Sequence, residues 1–164
     1  MYTAAAAAYF LVILYDITQI YKLPKLVRAA SFLGFPLTAL PPVSAAVIHD
    51  SSAGSVISAV LWTGVIIFSA LMIYSVFIEL MLFAPKDGTA YRKGTYRYVR
   101  HPGWIWYTAV HLLIAVMYFS QEVLLLMLWC ILLNLTVILI EDAVLFPKLF
   151  SDYPSYKKQA RCIL

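Results

Sequence analysis

Charge is what this sequence has least of. Only 12% of its 164 residues are Asp, Glu, Lys or Arg, against roughly 25% in soluble domains, so an ordinary water-facing surface over a core is excluded. Two cysteines, Cys130 in an apolar run and Cys162 in a basic tail, give neither a disulfide framework nor a paired-cysteine metal motif. The three histidines, His49, His101 and His111, lie far apart in the chain, and no metal is expected. Glycine-rich phosphate loops and internal repeats are absent as well. A formal charge of +4 and a pI near 9.1 would admit nucleic acid as a partner. The basic residues, however, form short clusters beside apolar runs, which membrane topology explains better, and no nucleic acid is expected.

What fills the chain instead is apolar: 63% of residues are hydrophobic, with a mean hydropathy of +0.86. The sequence therefore predicts an all-α integral membrane bundle. A chain of 164 residues has room for four or five spans of about 20 residues each. We read residues 1–164 as one transmembrane domain with spans near 3–20, 29–48, 55–83, 103–119 and 123–140, ending in a helical hairpin and a short cytosolic tail. The first run lacks a basic segment ahead of it and so is a span, not a signal peptide. Pro36, Pro41 and Pro42 predict an interrupted second span. Asp16 and Glu79 each lie near a span end; Asp16 is expected to snorkel or to be paired, and Glu79 to form a salt bridge to the loop after it. Of the twelve basic residues, three lie in Lys22 to Arg28, five in Lys86 to Arg100 and four in the tail. With five spans all three segments share a side, which places the N-terminus outside or in a lumen and the C-terminus in the cytosol, in a bacterial inner membrane or the endoplasmic reticulum.

The segment from Gly94 to Trp106 joins charge to membrane. Pro102 suits the first turn of a helix, which puts His101 at its cap and Arg100 beside a positive helix end where an anion is favoured. The hairpin then brings Arg100 and His101 opposite Glu141 and Asp142, an acidic pair expected at a helix C-terminus, where the macrodipole opposes it. Two compensations stay open at this point: an ion pair across the hairpin, or a cationic ligand held by carboxylates and aromatic faces.

Tyr96-Arg97-Tyr98-Val99-Arg100-His101-Pro102, a hairpin, then Glu141-Asp142 followed by Leu145, Tyr153 and Tyr156, resembles the isoprenylcysteine carboxyl methyltransferase and phospholipid methyltransferase superfamily. The resemblance covers Gly94 to Tyr156. It implies S-adenosylmethionine as cofactor, held by residues 91–106 and 141–158, with a lipid-like or small hydrophobic acceptor entering from the membrane. It also implies Arg100, His101 and Glu141 as catalytic residues, and His101, Tyr98, Trp104, Glu141, Asp142, Tyr153 and Tyr156 as cofactor-binding ones. Sterol-type membrane reductases also resemble the hairpin, so an NADPH-dependent reductase is the alternative, and a catalytically silent membrane module a third reading. Trp104 stands where the superfamily usually has tyrosine, Trp106 where a small residue is common, Asp142 where a second glutamate is usual and Phe150 where glycine is. A bulky indole at 106 would fill space near a cofactor. Independently of that resemblance, Tyr96, Tyr98, Trp104 and Trp106 fit an interfacial aromatic belt. His111, about 15 Å beyond His101 along its helix, is expected to be hydrogen-bonded inside the bundle, with Asn134 as a candidate partner.

Overall fold

Long apolar runs with few polar side chains leave the backbone to satisfy its own hydrogen bonds, and the helix is the local way to do so. The computed structural model describes residues 1–51 and 53–162, and among these every regular element is helical, with no strand. Four helical segments are long and apolar enough to cross a membrane: α1 (Tyr2–Tyr21), α2 (Lys25–Ile48), α3 (Ser55–Phe83) and α5 (Gln121–Leu149). A shorter apolar helix, α4 (Pro102–Met117), precedes α5, and a polar helix, α6 (Tyr153–Gln159), follows it.

The prolines of α2 interrupt it as expected. It runs as Lys25–Phe32, Gly34–Leu37 and Leu40–Ile48, separated by turns at Leu33 and at Thr38 and Ala39. Pro36 cannot donate to the carbonyl one turn back, and Leu33 closes instead on Ala30 at 3.2 Å. The kink carries Gly34 onto α1 so closely that a Cβ there would stand 2.8 Å from Ala8 O and from Val12 N.

Side-chain contacts fix the directions of the rods. Trp129 Nε1 donates to Tyr2 O at 3.3 Å, the Tyr9 and Tyr107 hydroxyls hydrogen-bond, and Asp16 neighbours Glu141, so α1 runs parallel to α5. Between α4 and α5, Arg100 beside the start of one meets Asp142 late in the other, so this pair is antiparallel. The core between the rods is made of Ala5, Tyr9, Val12, Tyr107, Ile114, Met127 and Cys130 with their neighbours. α3 turns most of its apolar surface outward, with only 6% of its most apolar window buried; lipid, or another apolar surface, is what such a face accepts.

The acidic pair does not end a helix, contrary to expectation. α5 continues through a π-helical turn, Glu141–Leu145, into Phe146–Leu149. No glycine or proline interrupts the chain before Pro147, and compensation of Asp142 by cations removes the charge penalty that would have frayed the end. Glu79 also departs from expectation: it forms no ion pair among the described residues and is satisfied by hydrogen-bond donors from the loop. His111 does not reach Asn134. Its Nδ1 lies 2.9 Å from the Tyr107 carbonyl, one turn back on its own helix, where the acceptor costs no reorganisation.

Candidate functional site

Three pieces of chain converge where α4 begins: residues 98–101, the π turn of α5, and α6 with the strip after it. The strip is anchored by backbone pairing. Arg100 N–H donates to Arg161 O at 2.8 Å and Arg161 N–H to Tyr98 O at 3.2 Å, forming an isolated parallel bridge around Val99. The tail therefore folds back over the helix start.

Asp142 is the hub. Its Oδ1 accepts from Arg100 Nε at 2.7 Å and from the Tyr153 hydroxyl at 2.8 Å, and Lys157 Nζ sits 2.7 Å from Oδ2. Arg100 Nη1 donates to the carbonyls of Lys157 and Ala160. Lys157 also donates to Asp142 O at 3.1 Å. That carbonyl belongs to the π turn, whose i→i+5 pattern widens the helix and leaves carbonyls accessible. Of the two compensations left open by the sequence, Asp142 has the ion pair across the hairpin.

Glu141 is placed differently. Its neighbours are His101, with Nδ1 3.4 Å from Oε2, and a second carboxyl, Asp16 of α1, close enough to share a hydrogen bond with it. Asp16 Oδ2 is buried with no hydrogen-bond partner. His101 Nε2 lies 3.8 Å from Asp142 Oδ1 and also lacks a hydrogen bond. A neutral imidazole carries one N–H, so it can donate to only one of the two carboxylates facing it. Burial, the largest influence, and the nearby Arg100 and Lys157 hold the His101 pKa below its ordinary value, against the opposing pull of Asp142.

An aromatic wall closes one side. The His101 ring stacks on Phe146 at 5.6 Å and 10°, and Phe146, Phe150, Tyr153 and Tyr156 continue the contact chain. Burial, with Asp142 adding to it, pushes the Tyr153 hydroxyl pKa up, and burial pushes that of Tyr156 up to about 12. Both tyrosines are thus neutral donors at neutral pH, Tyr153 to Asp142 and Tyr156 to Tyr96 O at 2.6 Å.

Of the residues singled out in the sequence, Arg100, His101, Glu141, Asp142 and Tyr153 stand together. Tyr156 joins the aromatic wall but turns its hydroxyl to the loop. Tyr98 is 70% exposed with the Arg97 guanidinium over its ring, and only its carbonyl takes part, so its ring lies outside the cluster. Trp104 is partly buried with an unpartnered Nε1. Trp106 stacks on Phe68 of α3 at 6.0 Å and 13°. Sequence reasoning missed Lys157, Cys162 and Asp16. Asp16 had a legible signal, a carboxyl at span depth one turn from a basic end; what was missing was that α1 would pack against the π turn. Side-chain atoms of His101, Asp142 and Cys162 lie within 4.8 Å of one another. Arg100 and Lys157 already neutralise Asp142, however, which leaves this trio little pull on a metal cation. No family model, curated protein or solved structure matches the chain.

Proposed function

We propose that the chain is an S-adenosylmethionine-dependent membrane methyltransferase for a lipid-like or small hydrophobic acceptor, similar to the isoprenylcysteine carboxyl methyltransferase and phospholipid methyltransferase superfamily. In this reading five spans cross the bilayer, the N-terminus lies outside or in a lumen, and the tail is cytosolic. The observation that carries the proposal is the division within the acidic pair. Asp142 is taken up by Arg100, Lys157 and Tyr153, whereas Glu141 stands beside a second carboxyl and a single imidazole. Two carboxyls brought together away from water favour a cation between them, because their mutual repulsion grows as the local dielectric falls.

The residues fit the cofactor's charges. Glu141 and Asp16 would hold its sulfonium and ammonium, with the faces of Phe146 and Tyr153 nearby. The start of α4 would take its carboxylate at the Gly103 N–H, since Pro102 has no N–H and the Trp104 N–H donates to His101 O at 3.2 Å. His101 Nε2, Trp104 Nε1 and Asp16 Oδ2 are buried polar atoms still without partners, as a hydrogen-bonding ligand site would leave them. When bound, the cofactor supplies an electrophilic methyl group. The protein's part is positional: the Arg100–Asp142–Lys157 knot ties tail to hairpin and excludes water, and Glu141 aligns the positive centre for in-line transfer. Trp106 is engaged by Phe68 of α3, so in this reading its indole packs against α3 and the cofactor lies on the α5 side of the helix start.

One observation favours a nicotinamide-dependent reductase as second reading: Arg92, Lys93 and Arg97 line a cavity of about 530 Å³, a place for phosphate. Titration of the detergent-purified chain with S-adenosylmethionine and with NADPH, followed by tryptophan fluorescence, separates the two. The expected outcome is saturable binding of the methyl donor, weakened at least about tenfold by Glu141→Gln, roughly 1.4 kcal/mol. NADPH binding with no response to the methyl donor replaces the proposal, and unchanged affinity in Glu141→Gln removes that residue from the site.

A further inference from the structure

The polar loop between α3 and α4 is held more firmly than an exposed basic segment requires. Glu79, 1% exposed near the end of α3, accepts from Thr95 N at 3.0 Å, Thr95 Oγ1 at 2.5 Å and the Tyr91 hydroxyl at 3.4 Å. Gly94 takes a positive φ of 53°, and a side chain there would run into the Glu79 carboxylate. Tyr96 donates to Ser75 O in the π turn of α3 at 3.1 Å, and Tyr156 donates to Tyr96 O. The short 3₁₀ turn Gly94–Arg97 is therefore pinned from α3 on one side and α6 on the other.

This clamp fixes cations that have no anion. Arg92 pairs with Asp152, but Lys93 and Arg97 form no ion pair among the described residues. All three line the 530 Å³ cavity together with Tyr156 and Gln159. Converging like charges on a concave wall repel one another and focus a positive potential into the space between them. A tetrahedral, doubly hydrogen-bonding anion such as phosphate relieves both. A second cavity, of about 430 Å³, shares Arg92 and Lys93 and continues to Phe83 and Pro85; Asp152, which also lines it, is paired with Arg92. There the end of α3 exposes Met81, Leu82 and Phe83 by 79, 61 and 59%. Cationic on one side and apolar on the other, the two neighbouring cavities together have the polarity of a phospholipid.

We propose that Lys93 and Arg97, with Arg92, bind the phosphate of an anionic phospholipid headgroup, whose acyl chains lie over Phe83 at the end of α3. A zwitterionic choline headgroup would bring its ammonium against the same cations. This lipid is a resident ligand, not the methyl acceptor: neither cavity is lined by Arg100, His101, Glu141 or Asp142, so the assignment does not depend on the methyltransferase reading.

The test titrates the full detergent-purified chain with dihexanoyl phosphatidylglycerol, dihexanoyl phosphatidylcholine, inorganic phosphate and NADPH, read by calorimetry. The expected result is phosphatidylglycerol binding about tenfold tighter than phosphatidylcholine, weakened about tenfold in Lys93→Gln/Arg97→Gln and weakened by salt. Equal affinity for the two lipids, or unchanged affinity in the double variant, overturns the proposal. Inorganic phosphate or NADPH binding as tightly as phosphatidylglycerol overturns the lipid as its source. If the double variant does not fold, the salt dependence of wild-type binding decides: phosphatidylglycerol affinity indifferent to salt overturns the proposal.

Discussion

Glu141 and Asp142 are neighbours in sequence and opposites in circumstance, and the difference follows from where each helix face points. Asp142 looks to the hairpin start and the tail, which bring two cations and a phenol; Glu141 looks to α1, which brings another acid. His101 stands between them and sets a testable electrostatic property. At 7% exposure its ring is costly to charge, and that burial, with smaller additions from the nearby Arg100 and Lys157, outweighs the opposing pull of Asp142. The sign for stability follows. With the folded pKa below the unfolded one, the unfolded chain binds more protons between the two values. Stability is then full above about pH 6.5 and is lost as pH falls from there toward the depressed folded value. NMR titration of the His101 ring should show a midpoint under the ordinary histidine value, and thermal unfolding in detergent should lose stability below about pH 6.5 less in His101→Gln than in wild type. A midpoint at or above that value would mean the ring is charged by its carboxylates after all. The sequence showed which residues meet here, through the Arg-His-Pro and acidic-pair spacing, but not which carboxylate would be neutralised. Lys157 decides that, and a lysine in a basic tail carries no mark distinguishing it from Lys158.

At the scale of elements, the departures share a cause: tertiary partners rescue local structure that sequence rules would end. The acidic pair was expected to close α5, and instead the helix widens into a π turn and proceeds, because Lys157 takes the Asp142 carbonyl and Arg100 the carboxylate. The second π turn, Tyr74–Ile78 in α3, is treated the same way when Tyr96 takes the Ser75 carbonyl. Neither is visible to a periodicity argument, since the chain stays apolar and helical throughout. The proline interruptions of α2 were legible, because a missing N–H is a local fact. Their consequence was not: the kink presses Gly34 against the α1 backbone. A side chain at Gly34 meets backbone atoms that cannot step aside, whereas one at Gly64 meets only the Cδ1 end of Leu113 at 2.9 Å. Gly34→Val should therefore lower the thermal unfolding temperature of the detergent-solubilised protein, by overpacking worth about 1–3 kcal/mol, while Gly64→Ala stays within about 0.5 kcal/mol of wild type. Equal effects would mean that α1 and α2 are free to move apart.

For the whole molecule, composition alone pointed to helices long and apolar enough to cross a membrane, of which four are present, and the placement of all twelve basic residues in three segments suggested an orientation. What composition could not give is whether α4 crosses, and the count depends on it. At 16 residues α4 spans about 24 Å, short of a hydrocarbon core of about 30 Å. The arrangement of the rods argues for crossing nonetheless. α1 is parallel to α5 and α4 antiparallel to it, so consecutive helices alternate in direction only if each of α2, α3 and α4 traverses the bundle. Ser51 hydrogen-bonding to Met117 O at 3.4 Å puts the turn after α2 and the end of α4 in one layer, while Arg100, Asp142 and Arg161 lie together at the other end. A membrane-impermeant thiol reagent can read this directly in sealed vesicles. With Cys162 replaced by serine and Cys130 buried, single cysteines at Lys93 and Lys158 should label from one side and a cysteine at Ser120 from the other. Labelling of Lys93→Cys and Ser120→Cys from the same side would leave α4 as a helix dipping into one leaflet. The five-span orientation would then fall even with the Asp142 knot intact, because that knot needs only the two helix ends to meet.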